Sequence, residues 1–189
     1  DDSLNTFILL QVTGCRISEI ALLLKDEVHL DAEIPYVEIK YRANGTAADR
    51  RLKNQTSIRD LPLTPLAVKA VTNQLKKSDT QHGGLFRWLG LDLSNASNQI
   101  NQHVIARHRN GDKRFSAHGL RHYMTNQLRE VEPRFDIRNA ILGRPIGVGL
   151  DAQYGSVTLG QKYEALLKAN EPVEEMFERV WSEVNGAPS

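Results

Sequence analysis

Two short segments of this chain carry the residue types that handle phosphate chemistry. The first runs Thr13-Gly14-Cys15-Arg16-Ile17-Ser18-Glu19, and the second runs His118-Gly119-Leu120-Arg121-His122. Arginine suits phosphate because its planar guanidinium donates two hydrogen bonds and keeps its proton near neutral pH. Breaking an anionic phosphodiester requires such donors, a nucleophile, and an acid for the leaving oxygen. The chain offers that set of residue types in Arg16, Lys53, His118, Arg121 and Tyr154.

The basic residues are concentrated in two segments of the chain. Residues 40–59 hold six cations and one acid, residues 103–122 hold five cations, one acid and four histidines, and residues 164–189 hold six acids and two cations. Two basic segments favour contact with a polyanion such as DNA or RNA. Solvated surface loops have the same composition, so charge alone leaves both interpretations open. The candidate DNA contacts outside the motifs are Arg42, Arg50, Arg51, Arg107, Arg109, Lys113 and Arg114.

The overall composition is that of one soluble globular domain. The 189 residues include 24 Lys and Arg, 23 Asp and Glu, and 40% hydrophobic residues, which excludes a disordered chain. Apolar runs fall far short of the roughly 20 residues that span a bilayer. The single cysteine, Cys15, excludes an internal disulfide and a Cys/His metal cluster, and with no secretory signal it indicates a reducing cytoplasm. Since the chain starts at Asp1 without Met, we expect a fragment whose upstream part is missing.

Apolar periodicity predicts a mainly helical α+β domain with a small sheet. One helix covers residues 4–11 and ends at Thr13-Gly14, and a second carries Ile17, Ile20, Ala21 and Leu24, so two helices meet near Arg16. Short strands are predicted at 28–30, 36–41 and 57–63, the last two joined by a long basic loop. Thr64-Pro65 opens a third helix. Further helices are predicted at about 94–108, 116–130, 134–142, 158–170 and 172–184.

Taken together, these motifs resemble the catalytic domain of the tyrosine recombinase (phage integrase) family. The likeness rests on the blocks at 13–20 and 118–122, on Lys53 four residues before Ser57 in a segment ending Arg59-Asp60-Leu61-Pro62-Leu63, and on Leu142-Gly143 followed by Tyr154. The resemblance implies the tyrosine recombinase catalytic fold over residues 1–189, with helices around a small three-stranded antiparallel sheet. It also implies an upstream helical domain, absent from this chain, that closes the clamp on DNA.

The resemblance implies a role for each candidate residue. The Tyr154 hydroxyl attacks phosphorus and leaves a 3′-phosphotyrosine and a free 5′-hydroxyl. Arg16 and Arg121 clamp the phosphate, Lys53 protonates the departing oxygen, and His118 assists proton transfer or holds the phosphate. Because one phosphodiester is exchanged for another, no nucleotide or metal cofactor is expected. The implied partners are duplex DNA and further copies of the chain. The protein is expected to be a monomer in isolation and to form a homotetramer on DNA. No association with a membrane is expected. The implied setting is the nucleoid of a bacterium, with a bacterial or phage origin.

Arg144 departs from the family pattern, in which His or Trp usually follows the Leu-Gly pair. Arginine there donates a hydrogen bond to a non-bridging oxygen but does not shuttle a proton at neutral pH. We therefore expect Arg144 to act as a hydrogen-bond donor to the phosphate. Tyr154 lies ten residues after Arg144, one more than the common spacing of the family. Two alternatives stay open: a DNA-binding protein of this fold with impaired catalysis, and a type IB topoisomerase-like relaxer of DNA.

Most of the candidates also have an ordinary structural explanation. Arg16 precedes Glu19 by three residues, which favours a local ion pair. Lys53 is typical of a solvated loop. His118 and His122 flank Leu120 on one helix, where they suit an interior pair.

The C-terminal segment predicts an amphipathic helix. Its apolar face carries Val173, Met176, Phe177, Val180 and Val184, and glutamates occupy the other face. The apolar face either packs against its own domain or docks on a neighbouring protomer, since related recombinases pass a terminal helix around a tetramer. The sequence leaves these two alternatives open.

Overall fold

Helices dominate the architecture, with one small sheet on their flank. The computed structural model describes residues 2–42, 57–77, 83–88, 93–102, 116–145 and 156–185. In chain order the elements are α1 (Asp2–Thr13), α2 (Ile17–Ala21), a 3-10 turn (Lys25–Glu27), β1 (Val28–His29), β2 (Tyr36–Ile39), β3 (Arg59–Pro62), α3 (Pro65–Lys77), α4 (Leu93–Ile100), α5 (Ala117–Val131), α6 (Phe135–Leu142) and α7 (Leu159–Asn185). The predicted mainly helical α+β class is confirmed.

The three strands form one antiparallel sheet in the order β1-β2-β3. Val37 in the central strand faces Val28 on one side and Leu61 on the other. Successive side chains of a strand point to opposite faces, and in β2 Val37 and Ile39 are buried while Tyr36 and Glu38 are half-buried. One face of the sheet therefore covers the core, and the predicted three-stranded sheet is confirmed. The long basic loop between β2 and β3, residues 43–56, lies outside the described residues.

Helix α1 is the element around which the other helices pack. It contacts α2, α3, α4, α5 and α7, and its Leu9, Leu10 and Val12 are buried. A polar contact fixes its orientation inside the core: Nε1 of the buried Trp88 donates to Oγ1 of Thr6 at 3.1 Å. Because α1 is held on several sides, the turn that follows Thr13 has a fixed position in the domain.

The C-terminal helix differs from its prediction. The prediction of two separate helices at 158–170 and 172–184 is wrong, since α7 runs unbroken over Leu159–Asn185 with Pro172 inside it. Proline removes a backbone donor from a helix, but two long-range contacts hold the flanks. Nδ2 of the buried Asn170 donates to the carbonyl oxygen of Val12 at 2.8 Å. The carboxylate of Glu174 accepts from the backbone N–H of Leu66, in the first turn of α3. Tertiary contacts thus outweigh the local preference of Pro172.

Two other helices have different boundaries from those predicted. The second helix ends at Ala21, and Leu24 instead pairs with Gly84 in an isolated bridge. This bridge ties the chain after α2 to the segment that carries Trp88. The helix predicted at 94–108 begins as α4, Leu93–Ile100. The rest of that prediction from residue 103 lies outside the described residues.

The predicted amphipathic face of the tail packs in part against its own domain. Val173 and Phe177 are partly buried against the core. They border a groove of about 700 Å³ between α1, α5 and α7, where Met176 remains 52% exposed. Packing on the same domain is therefore confirmed for Val173 and Phe177, while for Val180 and Val184 the structure describes the backbone alone.

Candidate active site

Three of the candidate residues line one cavity. Arg16 at the start of α2, and His118 and Arg121 in the first turns of α5, border a space of about 310 Å³. Ser18 and Ser97 line the same cavity. The fold thus brings together residues from two distant motifs, and α4 adds a contact through Ser97 that the sequence did not indicate.

The turn between α1 and α2 places Arg16 at the cavity. Gly14 has a φ of +64°, and a Cβ on it would lie 2.7 Å from Cγ of Met124, so only glycine fits this conformation against α5. Nη1 of Arg16 donates to Oε1 of Glu19 at 2.8 Å and to Oγ of Ser57 at 3.2 Å. The expected local ion pair with Glu19 therefore exists, and the 27% exposed Arg16 side chain also faces the cavity.

Arg121 is almost fully buried and joins two chain segments. Its side chain is 6% exposed, and its Nη1 donates to the carbonyl of Gly14 at 2.7 Å while Nη2 donates to that of Leu142 at 2.6 Å. Burial, and next the positive charge of Arg16, lower the pKa of Arg121 to about 10. At neutral pH Arg121 is still a cation. Its two hydrogen-bond acceptors are uncharged backbone carbonyls, which do not neutralise that charge.

His118 lies in the first turn of α5. The hydroxyl of Ser116 caps this helix by accepting from the backbone N–H of Gly119 at 3.2 Å. The rings of His118 and His122 meet edge to face, with centroids 4.8 Å apart. Both histidines are exposed, so the interpretation as an interior pair is wrong. His118 therefore presents a solvent-accessible imidazole to the cavity.

The Arg144 side chain is anchored to α5, the helix that carries Arg121. It follows Gly143, whose φ of +59° ends α6, and its Nη2 donates to Oγ1 of Thr125 at 3.0 Å. The Thr125 hydroxyl in turn donates to the carbonyl of Arg121, one helical turn earlier, at 2.7 Å. Burial, and then the charges of Arg129 and Arg16, lower the pKa of Arg144. Arg144 thus lies beside the cations of the cavity, although it is not among the residues that line it.

Arg59 and Thr125 are the neighbours that sequence reasoning missed. The Arg59 side chain is 5% exposed, and its Nη2 donates to Oε2 of Glu19 at 3.1 Å. A signal was present, because the two-residue period of β3 puts position 59 on the same face as the fully buried Leu61. For Thr125, the signal is its position four residues after Arg121, on the same helical face.

Arg42 is placed differently from the prediction that it contacts DNA. Its side chain is 12% exposed and forms an ion pair with Glu27, which is 3% exposed, and it also donates to the carbonyl of Leu22. An internal ion pair does not support the prediction for Arg42, because its guanidinium is turned away from solvent. The other predicted site residues lie outside the described residues: Lys53, Tyr154, Arg50, Arg51, Arg107, Arg109, Lys113 and Arg114.

Cys15 is a small buried residue among those that line the cavity. It is 2% exposed, and burial raises the pKa of its thiol to about 11, outweighing the nearby charge of Arg59. The described part of the chain holds no group of three His, Cys, Asp or Glu side chains arranged for a metal ion. Within the same residues, no helix combines the length and the apolar character needed to cross a bilayer.

Solved structures of other proteins share this architecture. A fragment of the Tn1549 transposon integrase in complex with a circular intermediate DNA superposes with a TM-score of 0.58 at 16% identity, covering 91% of this chain and 58% of that one. The same integrase with transposon right end DNA gives a TM-score of 0.55 at 15% identity, covering 92% and 58%. The XerA recombinase gives 0.54 at 19% identity, covering 100% and 58%.

The structural likeness shows the fold, and this chain spans little more than half of each of those chains, 58%. Comparison with curated proteins gives no significant match. The sequence model of the phage integrase family matches residues 2–140, most of the 189 positions. The chain therefore belongs to the phage integrase family.

Proposed function

We propose that this chain is the catalytic domain of a site-specific tyrosine recombinase that cuts and rejoins duplex DNA. The observation that carries the proposal is the single cavity that Arg16, His118 and Arg121 line. Two guanidinium groups and an accessible imidazole suit an anionic phosphate. Family membership supports the same activity, and the DNA in the Tn1549 integrase complexes supports duplex DNA as the partner.

The phosphate is held by charge and by directed hydrogen bonds. Arg16 and Arg121 donate to the non-bridging oxygens, and Arg144 supplies a third cation beside them. At an effective dielectric constant of about 20, two unit charges 4 Å apart attract by about 4 kcal/mol, so a few fixed cations stabilise the transition state strongly. Arg144 acts as a hydrogen-bond donor, since it does not exchange protons at neutral pH.

The chemistry is a transesterification in two mirrored steps. The Tyr154 oxygen attacks phosphorus as the bond to the 5′-oxygen breaks, which gives a 3′-phosphotyrosine. Lys53 gives a proton to the departing 5′-oxygen, and His118 assists the transfer from the tyrosine hydroxyl. A 5′-hydroxyl from a second strand then attacks the phosphotyrosine and releases Tyr154. Each step exchanges one phosphoester bond for another, so the exchange proceeds without nucleotide hydrolysis.

DNA binding and assembly complete the proposal. The basic segments at 43–56 and 103–115 contact the DNA backbone, and phosphate contacts of this kind position a protein without reading sequence. Four copies assemble on DNA from monomers, in a bacterial cytoplasm at the nucleoid. The exposed face of α7 around Met176 meets a neighbouring copy. Binding to DNA weakens steeply as salt rises, because neutralised phosphates release counterions.

A trapping experiment tests the function. The full-length protein is incubated with a nicked duplex whose short 5′ fragment diffuses away after cleavage, and we expect a covalent protein–DNA adduct. Tyr154→Phe abolishes the adduct, whereas Tyr163→Phe, a change on α7, retains it. The sequence of the substrate comes from mapping the DNA ends that remain attached to the protein in cells.

The other outcomes identify the alternatives. Specific binding without an adduct would show a DNA-binding protein with impaired catalysis. Relaxation of supercoiled DNA by monomers, with no joining of two sites, would show a topoisomerase-like activity. Either result contradicts the proposed recombinase.

A further inference from the structure

We propose that Arg59 is a positioning residue that shares the Glu19 carboxylate with Arg16 and so keeps the Arg16 guanidinium available to an anionic phosphate. The inference deepens the proposed function, because it concerns the phosphate site of the same reaction. Arg59 itself does not line the cavity. It acts through Glu19, which it contacts directly.

The contacts of Arg59 are directed at three segments that meet below the cavity. Nε donates to the carbonyl of Ile141 at the end of α6 at 2.8 Å, and Nη1 donates to that of Ser57 at 2.7 Å. Nη2 lies 3.3 Å from Sγ of Cys15 and donates to Oε2 of Glu19 at 3.1 Å. A side chain that is 5% exposed and uses all three nitrogens is held in one geometry.

The Glu19 carboxylate stands between two guanidinium groups. Its Oε1 accepts from Nη1 of Arg16 at 2.8 Å and from Nη1 of Arg59 at 3.3 Å. Its Oε2 accepts from the backbone N–H of Arg16 at 2.8 Å and from Nη2 of Arg59 at 3.1 Å. The Glu19 side chain is 1% exposed, so water does not take over these bonds if one partner is lost.

The charge of this group explains why a second arginine matters. Arg16 and Glu19 alone form a neutral pair, whose attraction for a phosphate is weak. With Arg59 the described group has two cations and one carboxylate, a net charge of +1. Arg59 also draws part of the carboxylate's charge away from Arg16. Glu19 therefore neutralises the Arg16 guanidinium only in part, and Arg16, whose side chain is 27% exposed, still attracts an anion in the cavity.

Ser57 provides a second connection between the two arginines. Its carbonyl oxygen accepts from Nη1 of Arg59 at 2.7 Å, and its hydroxyl oxygen accepts from Nη1 of Arg16 at 3.2 Å. Fixing the Ser57 backbone through Arg59 therefore also fixes a hydrogen-bond acceptor of Arg16. Orientation and charge are thus controlled by the same buried side chain.

A purely structural role for Arg59 predicts a different result from the one proposed. If Arg59 only tied β3 to α6, its loss would weaken the fold, and restoring the charge balance elsewhere would not restore anion binding. Under our proposal, removing the Glu19 charge as well returns the group to +1 and restores binding. Restoration by charge is therefore the deciding readout.

The experiment measures the affinity of inorganic phosphate for the full-length protein by calorimetry, at constant ionic strength. Arg16→Gln identifies the part of the binding that belongs to this cavity. We expect Arg59→Met to weaken that part at least about tenfold, because a charge-assisted partner network is lost. Glu19→Gln/Arg59→Met should return it to within about threefold of the wild type. Arg59→Gln, neutral but still a hydrogen-bond donor, is the second single variant.

Several results would overturn the proposal. The first is an unchanged phosphate affinity in both Arg59→Met and Arg59→Gln. The second is a double variant that folds but does not bind phosphate. The third is a wild-type protein that does not bind phosphate, or whose binding is unchanged in Arg16→Gln. If both single variants are unfolded, the folding and affinity of the double variant decide. Adduct formation is measured in parallel on the wild type, so phosphate binding without an adduct contradicts the recombinase but not the role of Arg59.

Discussion

The Arg59 guanidinium occupies the space that a side chain at position 143 would need. A Cβ placed on Gly143 would lie 2.6 Å from Nη1 and 3.0 Å from Cζ of Arg59. Gly143 also has a φ of +59°, which side chains rarely adopt. The glycine that ends α6 thus lets Arg59 approach the carbonyl of Ile141 and, through Glu19, the cavity.

Gly143→Ala is therefore expected to destabilise the protein in two ways. The left-handed backbone costs about 1–2 kcal/mol, and the close contact with Arg59 adds about 1–3 kcal/mol. Gly83→Ala is the matched control, since Gly83 has a φ of +72° but nothing within 4 Å of its Cβ position. Urea unfolding measures both variants. Equal losses of free energy at the two positions would contradict the close contact.

Glu19 should support the fold at neutral pH and lose that effect in acid. Burial opposes its ionisation, but Arg59 and then Arg16 outweigh it and lower the pKa of Glu19 from 4.5 to about 2. Because the folded pKa is the lower one, the stabilisation is fully present above about pH 4.5 and disappears as the pH falls toward 2. The shift corresponds to on the order of 3 kcal/mol.

Glu19→Gln measures this contribution. The variant should be less stable than the wild type at pH 7, and the difference in unfolding free energy should shrink as the pH falls from 4.5 toward 2. Glu171→Gln is the control, a change at an exposed carboxylate on α7. A pH-independent gap between Glu19→Gln and the wild type would show that the ionised carboxylate is not the stabilising form.

The Cys15 thiol should resist chemical labelling in the native protein. Burial raises the pKa of Cys15 to about 11, and the residue is 2% exposed. At pH 8 roughly one thiol in a thousand is then ionised, and the thiolate is the reactive form. We expect labelling by Ellman's reagent to be at least about 100-fold slower in the folded protein than in guanidinium chloride. The chain has one cysteine, so the signal reports Cys15 alone. Fast native labelling would mean that the packing around Cys15 opens.

Pro172→Ala should stabilise the protein. Proline inside a helix is about 3 kcal/mol less favourable than alanine, of which up to about 1 kcal/mol is offset by the stiffer unfolded chain. Pro172 is exposed inside α7, so little packing is lost. Pro133→Ala, an exposed change between α5 and α6, should give no gain. Thermal unfolding compares the two, and a loss of stability in Pro172→Ala would show that α7 accommodates the proline without a net cost.

Arg42→Met separates an ion pair inside the domain from a DNA contact. Removing Arg42 leaves the buried carboxylate of Glu27 without its guanidinium partner, which costs about 3–5 kcal/mol of unfolding free energy. Lys40→Met, at a 48% exposed surface pair with Glu38, should cost about 0–1 kcal/mol. The salt dependence of DNA binding should be unchanged in Arg42→Met. A weaker dependence of DNA affinity on salt concentration in Arg42→Met would show that Arg42 contacts a DNA phosphate.

The helices and the sheet could largely be predicted from local pattern. Thr13-Gly14 marked the end of α1, Thr64-Pro65 marked the start of α3, and the alternation around Val37 marked the central strand. These signals act over a few residues, through backbone preference and the burial of one face. The pairing of Arg16 with Glu19, three residues apart, was predictable for the same reason.

Other features depend on contacts between residues far apart in the chain. Asn170 and Glu174 keep α7 continuous across Pro172, and Glu27 draws Arg42 into the domain. Neither outcome follows from local preference, since the partners come from other elements.

The motifs named the residue types for phosphate chemistry, because that chemistry restricts which side chains can serve. Their meeting in one cavity, and the network of Arg59, Glu19 and Gly143 beneath it, emerged with the packing of α2, β3, α5 and α6. Burial makes each of these contacts strong, and burial is a property of the assembled core rather than of any single segment.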